Sequence, residues 1–96
     1  MNTIGMQKNF DWNDDKNILL QQKRGISFEE IIIEIESGNL LDRIKHPNAD
    51  KYPNQMIFFV KKEDYVFAVP FVEDDNTIFL KTIFQDRRAT KKYFGR

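Results

Sequence analysis

Ninety-six residues suit one compact domain over residues 1–96, and a chain that is 41% apolar, with nine Phe, three Tyr and one Trp, is neither disordered nor collagen-like. The lack of cysteine excludes disulfides, thiolate metal sites and a cysteine nucleophile. Fifteen basic and fifteen acidic side chains cancel, which argues against gathering nucleic acid by bulk charge; yet residues 1–50 hold six Lys/Arg and nine Asp/Glu while residues 51–96 hold nine and six, so positive potential is local.

The opening MNTIGMQKNF lacks the apolar stretch of a signal peptide, and no run approaches the roughly 20 apolar residues of a bilayer span. A cytoplasmic location with no membrane partner is expected. FDWNDDKNILLQQKRGISFEE reads as a short entry strand and two helices. Asp14 and Asp15 suit the start of the first helix, Ile18 and Leu19 give it an apolar face, and Lys23 and Arg24 precede Gly25, a C-terminal cap. Ser27 and Glu30 form a capping box for the second, whose buried stripe is Phe28, Ile31, Ile32 and Ile35, with Glu29, Glu34 and Glu36 facing outward. Gly38 and Asn39 accept left-handed backbone and end it, and LLDRI follows as a short strand.

KHPNADKYPN reads as a loop, because Pro47 and Pro53 restrict the preceding backbone and remove amide donors. QMIFFV and YVFAVPFV read as strands joined around KKED, and EDDN leads into a further strand, TIFLKTIF. Pro70 would remove a ladder bond from a central strand, which predicts an edge, a bulge or a strand end there. Asp86 caps a final short helix that puts Ala89 and Tyr93 on one side and spaces Arg87 from Lys91, and Arg88 from Lys92, by four residues. The predicted class is α+β: two N-terminal helices packed on an antiparallel sheet of three or four strands, with a short C-terminal helix.

No Gly-rich phosphate loop, HExxH, nucleophile elbow or spaced His/Cys cluster is present, and no metal or cofactor is expected. Glu73, Asp74 and Asp75 read as a solvated hairpin turn, with attraction of Mg2+ the alternative. The basic end, Arg87, Arg88, Lys91 and Lys92, preceded by Lys81, suits phosphates, and an Arg can stabilise the charge that develops on a phosphoryl group; the plain alternative is a solvated helix end partly neutralised by Asp86. His46, beside Lys45, is the sole histidine and suits one proton transfer in RNA cleavage, or hydrogen-bonded scaffolding. Tyr52 and Tyr93 orient a phosphate, stack on a base or serve the core.

With Phe-x-Trp-x-x-x-Lys at residues 10–16, Gly-x-Ser-Phe-Glu-Glu at residues 25–30 and Arg-x-Ala-Thr in IFQDRRATKKY, the chain resembles the BrnT-type toxins of bacterial type II toxin-antitoxin modules across most of residues 10–93. That family is similar in fold to the RelE/ParE-like superfamily, with N-terminal helices on an antiparallel sheet. The resemblance implies a metal-independent endoribonuclease that cleaves messenger RNA, free or ribosome-associated, and arrests translation. It also implies a cognate small DNA-binding antitoxin, through which the pair occupies operator DNA. Lys16 matches the opening lysine, and catalysis would fall to Arg87 and His46. Lys45, Lys81, Arg88, Lys91, Lys92 and Tyr93 would position RNA. The chain departs from the family at PNQMIFF, where Asn54 and Gln55 stand in place of charge. A noncatalytic protein-binding module of a toxin-antitoxin complex is the alternative.

Overall fold

The computed structural model describes residues 8–95, so the reading of residues 1–7 as neither leader nor membrane span lies outside the described residues. The elements run β1 (Asn9–Trp12), α1 (Asp14–Arg24), α2 (Phe28–Glu34), β2 (Leu40–Lys45), β3 (Met56–Lys62), β4 (Tyr65–Glu73), β5 (Thr77–Leu80), β6 (Phe84–Gln85) and α3 (Arg87–Phe94). The α+β class and the helical pair at the N-terminus are as the sequence predicts. The sheet is mixed, in the order β1-β5-β4-β3-β2 with β6 also on β4. Strands β2 to β5 form an antiparallel meander, and β1 joins the far edge parallel to β5, with Phe10 opposite Ile78.

Local chemistry sets the helices. Asn13 caps α1 by accepting the Lys16 amide at 2.9 Å, and Gly25 ends it in the left-handed region at φ 66°. Ser27 and Glu30 form the expected reciprocal capping box on α2. Past Glu34 the helix widens into a π-turn over residues 35–39, and Gly38 at φ 90° releases the chain into β2.

The inward face of α1 differs from the expectation. Ile18 and Leu19 are 52% and 43% exposed, whereas Asn17 and Leu20 are buried. The Asn17 side chain accepts the Phe28 amide at 2.8 Å and donates to Glu29 at 2.7 Å, so it satisfies an otherwise orphaned N–H in the first turn of α2. The hydrogen bond from Asn17 is the main reason that the Glu29 carboxyl titrates below its ordinary value. In α2, Phe28, Ile31 and Ile35 are buried as expected, with Ile32 packed beside them.

Strand alternation sends Phe58 and Val60, Phe67, Val69 and Phe71, and Ile78 and Leu80 to the face covered by α1 and α2. The Phe58 and Phe71 rings stack there at 3.9 Å between centroids. The opposite face carries α3, which packs on β4. TIFLKTIF is not one strand. Its first half pairs with residues 71–73 of β4 as β5, its second with residues 67–68 as β6, and residues 81–83 bridge the gap. Pro70 lies opposite that bridge. Its carbonyl accepts the Lys81 amide at 2.8 Å, so its ring nitrogen faces the same side, where the partner strand changes. A proline is thus accommodated inside a central strand at the one place where its second ladder is interrupted.

Candidate nucleic-acid interface

The position of α3 is set by two side chains. Asp86 accepts the Ala89 amide at 2.9 Å as N-cap, and Gly95 closes the other end at φ 71° with its N–H on the Lys91 carbonyl at 2.8 Å. Lys91 and Lys92 in the last turn complement the helix dipole. Thr90 is buried; its hydroxyl donates to the Asp86 carbonyl at 2.8 Å and accepts the Val66 amide at 2.9 Å, while the Asp86 amide donates to the Val66 carbonyl at 2.9 Å. These bonds fix the rotation of α3 on β4 and therefore which basic residues face the neighbouring strands.

The rotation opens a groove of about 390 Å³ between α3 and the β2 side of the sheet. Asp42 and Ile44 of β2 and Phe59 of β3 form one wall, because Asp42 pairs with Phe59 and Ile44 lies two residues on. Arg88, Ala89, Lys92 and Tyr93 form the other, with Asp86 at the helix start and Pro47 from the loop after β2. The Tyr93 hydroxyl reaches across and donates to Asp42 Oδ2 at 3.3 Å, and Lys92 Nζ lies 5.4 Å from the Tyr93 ring centroid. Burial, then the negative charge of Asp42 and the hydrogen bond to it, raise the Tyr93 phenol above its ordinary value. Tyr93 therefore holds its proton throughout the neutral range. The other oxygen of Asp42 accepts the Arg43 amide at 2.7 Å, which orients the carboxylate.

Of the residues singled out in the sequence, the groove gathers Arg88, Lys92 and Tyr93. Arg87 and Lys91 are exposed on α3 but sit about 100° around the helix from Arg88 and Lys92, outside the lining. His46 begins the loop after β2: its Nδ1 accepts the Asn48 amide at 3.0 Å, its amide donates to the Gln55 carbonyl at 3.0 Å, and its ring lies 4.5 Å from that of Tyr52. Nδ1 is thereby an acceptor, and the neutral ring carries its proton on Nε2. Lys45 alternates with Ile44 and points to the other face of the sheet, opposite Met56. Lys81 shares the α3 side of the sheet, with Nζ 5.7 Å from the Phe79 ring, but is outside the groove, as is Lys16 in the first turn of α1.

The acidic turn is structurally accounted for. Asp74 accepts the amides of Asn76 and Thr77 at 2.9 and 2.8 Å, and these bonds hold its carboxyl below its ordinary value. Glu73 pairs with Lys8 at 2.8 Å and with Arg43.

Sequence reasoning missed Asp42, Ile44 and Phe59 as site residues. The alternation in LLDRI hints that Asp42 and Ile44 share a face, but only the pairing of β2 with β3 and the docking of α3 show that this face meets Tyr93. No family model, no curated protein and no solved structure significantly matches the chain.

Proposed function

We propose that this chain is the toxin of a toxin-antitoxin pair: a cytoplasmic, metal-independent endoribonuclease that cleaves messenger RNA in the α3–β2 groove, arrests translation and is neutralised by a small DNA-binding antitoxin. The observation that carries the reading is the Asp42–Tyr93 contact across a groove flanked by Arg88 and Lys92. A carboxylate base, a protonated phenol and two cations are the groups that RNA transesterification needs. Asp42 accepts the proton of a 2'-hydroxyl as that oxygen bonds to phosphorus. The bond from phosphorus to the 5'-oxygen breaks, and Tyr93 donates its proton to the departing oxygen. Arg88 and Lys92 neutralise the charge on the phosphorane. The products are a 2',3'-cyclic phosphate and a 5'-hydroxyl, so atoms and charges balance. Arg87, to which the family resemblance gives the phosphate, lies with Lys91 on the adjoining helix face and holds flanking phosphates of a longer strand.

The test is incubation of the purified protein with defined single-stranded RNA in excess chelator, with analysis of both product ends. The expected result is cyclic-phosphate and 5'-hydroxyl ends, with cleavage slowed about 100-fold or more by Asp42→Asn and by Tyr93→Phe. Cleavage that requires added Mg2+ would contradict the mechanism. Folded protein that binds its antitoxin and cuts no RNA would favour the noncatalytic binding module.

A further inference from the structure

A second cleft lies where the α1–α2 turn meets β6, and the ribonuclease reading makes no use of it. Its floor is Ile26, Phe67 and Ile83, and its volume is about 390 Å³. Arg24 and Phe84, the latter 38% exposed, stand at its rim, and an adjoining cleft that shares Arg24, Ile26, Phe67 and Gln85 with it adds Tyr65, 46% exposed, with Lys62 and Glu63.

Among the described residues, the backbone beside this floor is an unpaired sheet edge. Phe84 lies opposite Ala68, and the Asp86 amide donates to the Val66 carbonyl, so alternation turns the N–H and C=O of Gln85 away from β4. The carbonyl of Ile83 faces the same way and is taken by Arg24. The outward groups of Gln85 meet no partner among the described residues.

We propose that this edge receives an extended segment of a partner polypeptide as an added strand on β6, with an apolar side chain on the Ile26–Phe67–Ile83 floor and a carboxylate facing Arg24 and Lys62. The outward N–H and C=O of Gln85 match the acceptor and donor of one peptide residue. Arg24 gives one nitrogen to Ile83 and keeps further N–H groups at the rim, a fork that suits a carboxylate. Lys62 lies 3.7 Å from its neighbour Glu63, whose side chain is 84% exposed and free to yield to an incoming acid. Charge complementarity therefore selects an acidic partner, and the edge selects a polypeptide. A single-stranded RNA is the poorer fit, because its sugar-phosphate chain offers no peptide-spaced donors and acceptors to Gln85 and the floor is largely aliphatic.

The experiment is selection of phage-displayed random decapeptides on the folded chain, synthesis of the enriched sequences, and mapping of their binding by amide NMR. Enriched peptides should alternate apolar and polar residues, carry Asp or Glu, and shift the amides of Gln85, Phe84 and Ile26. Gln85→Pro removes the outward N–H without touching a bond to β4 and should weaken binding about tenfold, and Arg24→Gln should erase the preference for acidic peptides. N-methylation of the pairing residue in the peptide makes the same test on unaltered protein and should weaken binding equally. Failure to enrich any peptide, shifts confined to α3, or unchanged affinity after N-methylation would overturn the proposal. So would a uridine decamer that moves the Gln85 amide and displaces the peptides.

Discussion

Thr90 shows how one hydroxyl can set the docking of a helix on a sheet. It is buried, satisfies the Val66 amide and closes on the Asp86 carbonyl, so a change there acts on the sheet and the helix together. Thr90→Val keeps the shape but strands the Val66 N–H, and a stability loss of about 1–3 kcal/mol in urea unfolding is expected, with Thr90→Ser close to the unchanged protein. Arg-x-Ala-Thr is visible in the sequence as a motif, and Asp86 as a cap is legible from its position before a helical run. That Thr90 would bond across 24 residues to β4 was not legible, because a hydroxyl carries no sign of its distant partner.

Among the elements, caps are better encoded than helix faces. Gly25, Ser27, Glu30 and Asp86 act as their local chemistry predicts, since a cap is decided within four residues of chain. The face of α1 depends on what it meets. Ile18, Leu19 and Leu20 stand in a row, and a short apolar run does not fix the phase of the buried side; the bonds of Asn17 to Phe28 and Glu29 fix it by turning a polar residue inward. Leu20→Ala should therefore cost about 2–5 kcal/mol, and Leu19→Ala no more than about 0.5 kcal/mol, in paired denaturant titrations. Equal losses would contradict the observed orientation. The division of TIFLKTIF into β5 and β6 has a similar origin: Pro70 leaves no donor for a continuous ladder, a constraint that lies on the partner strand.

The whole molecule is tied together at Glu73, near the end of β4, which is met by Lys8 from the chain before β1 and by Arg43 from β2. Arg43 also lies over the Phe71 ring at 5.4 Å, so the cluster bridges opposite edges of the sheet. Burial alone would raise the Glu73 pKa, but the hydrogen bond from Lys8 and the charges of Arg43 and Lys8 outweigh it and hold the carboxyl below its ordinary value. The folded chain thus gives up the proton more readily than the unfolded one. The stability Glu73 contributes is complete above the ordinary carboxylate range and is lost as pH falls through the depressed folded value. Glu73→Gln should lower the urea midpoint at neutral pH and flatten its decline in acid. Such long-range pairs are the part of the fold that sequence reading did not reach, and the groove is assembled by the same kind of contact, between Asp42 and Tyr93.

Whether RNA is cleaved in the groove between α3 and β2 is decided by comparing two neighbouring arginines. RNA affinity and cleavage rate, measured for Arg88→Ala and Arg87→Ala against the unchanged protein, separate the wall of the groove from the adjoining helix face. Arg88→Ala is expected to lower cleavage by about 100-fold or more, while Arg87→Ala mainly weakens RNA binding and reduces its salt dependence. Full activity in Arg88→Ala together with a dead Arg87→Ala would contradict the account and move the chemistry to the other side of the helix.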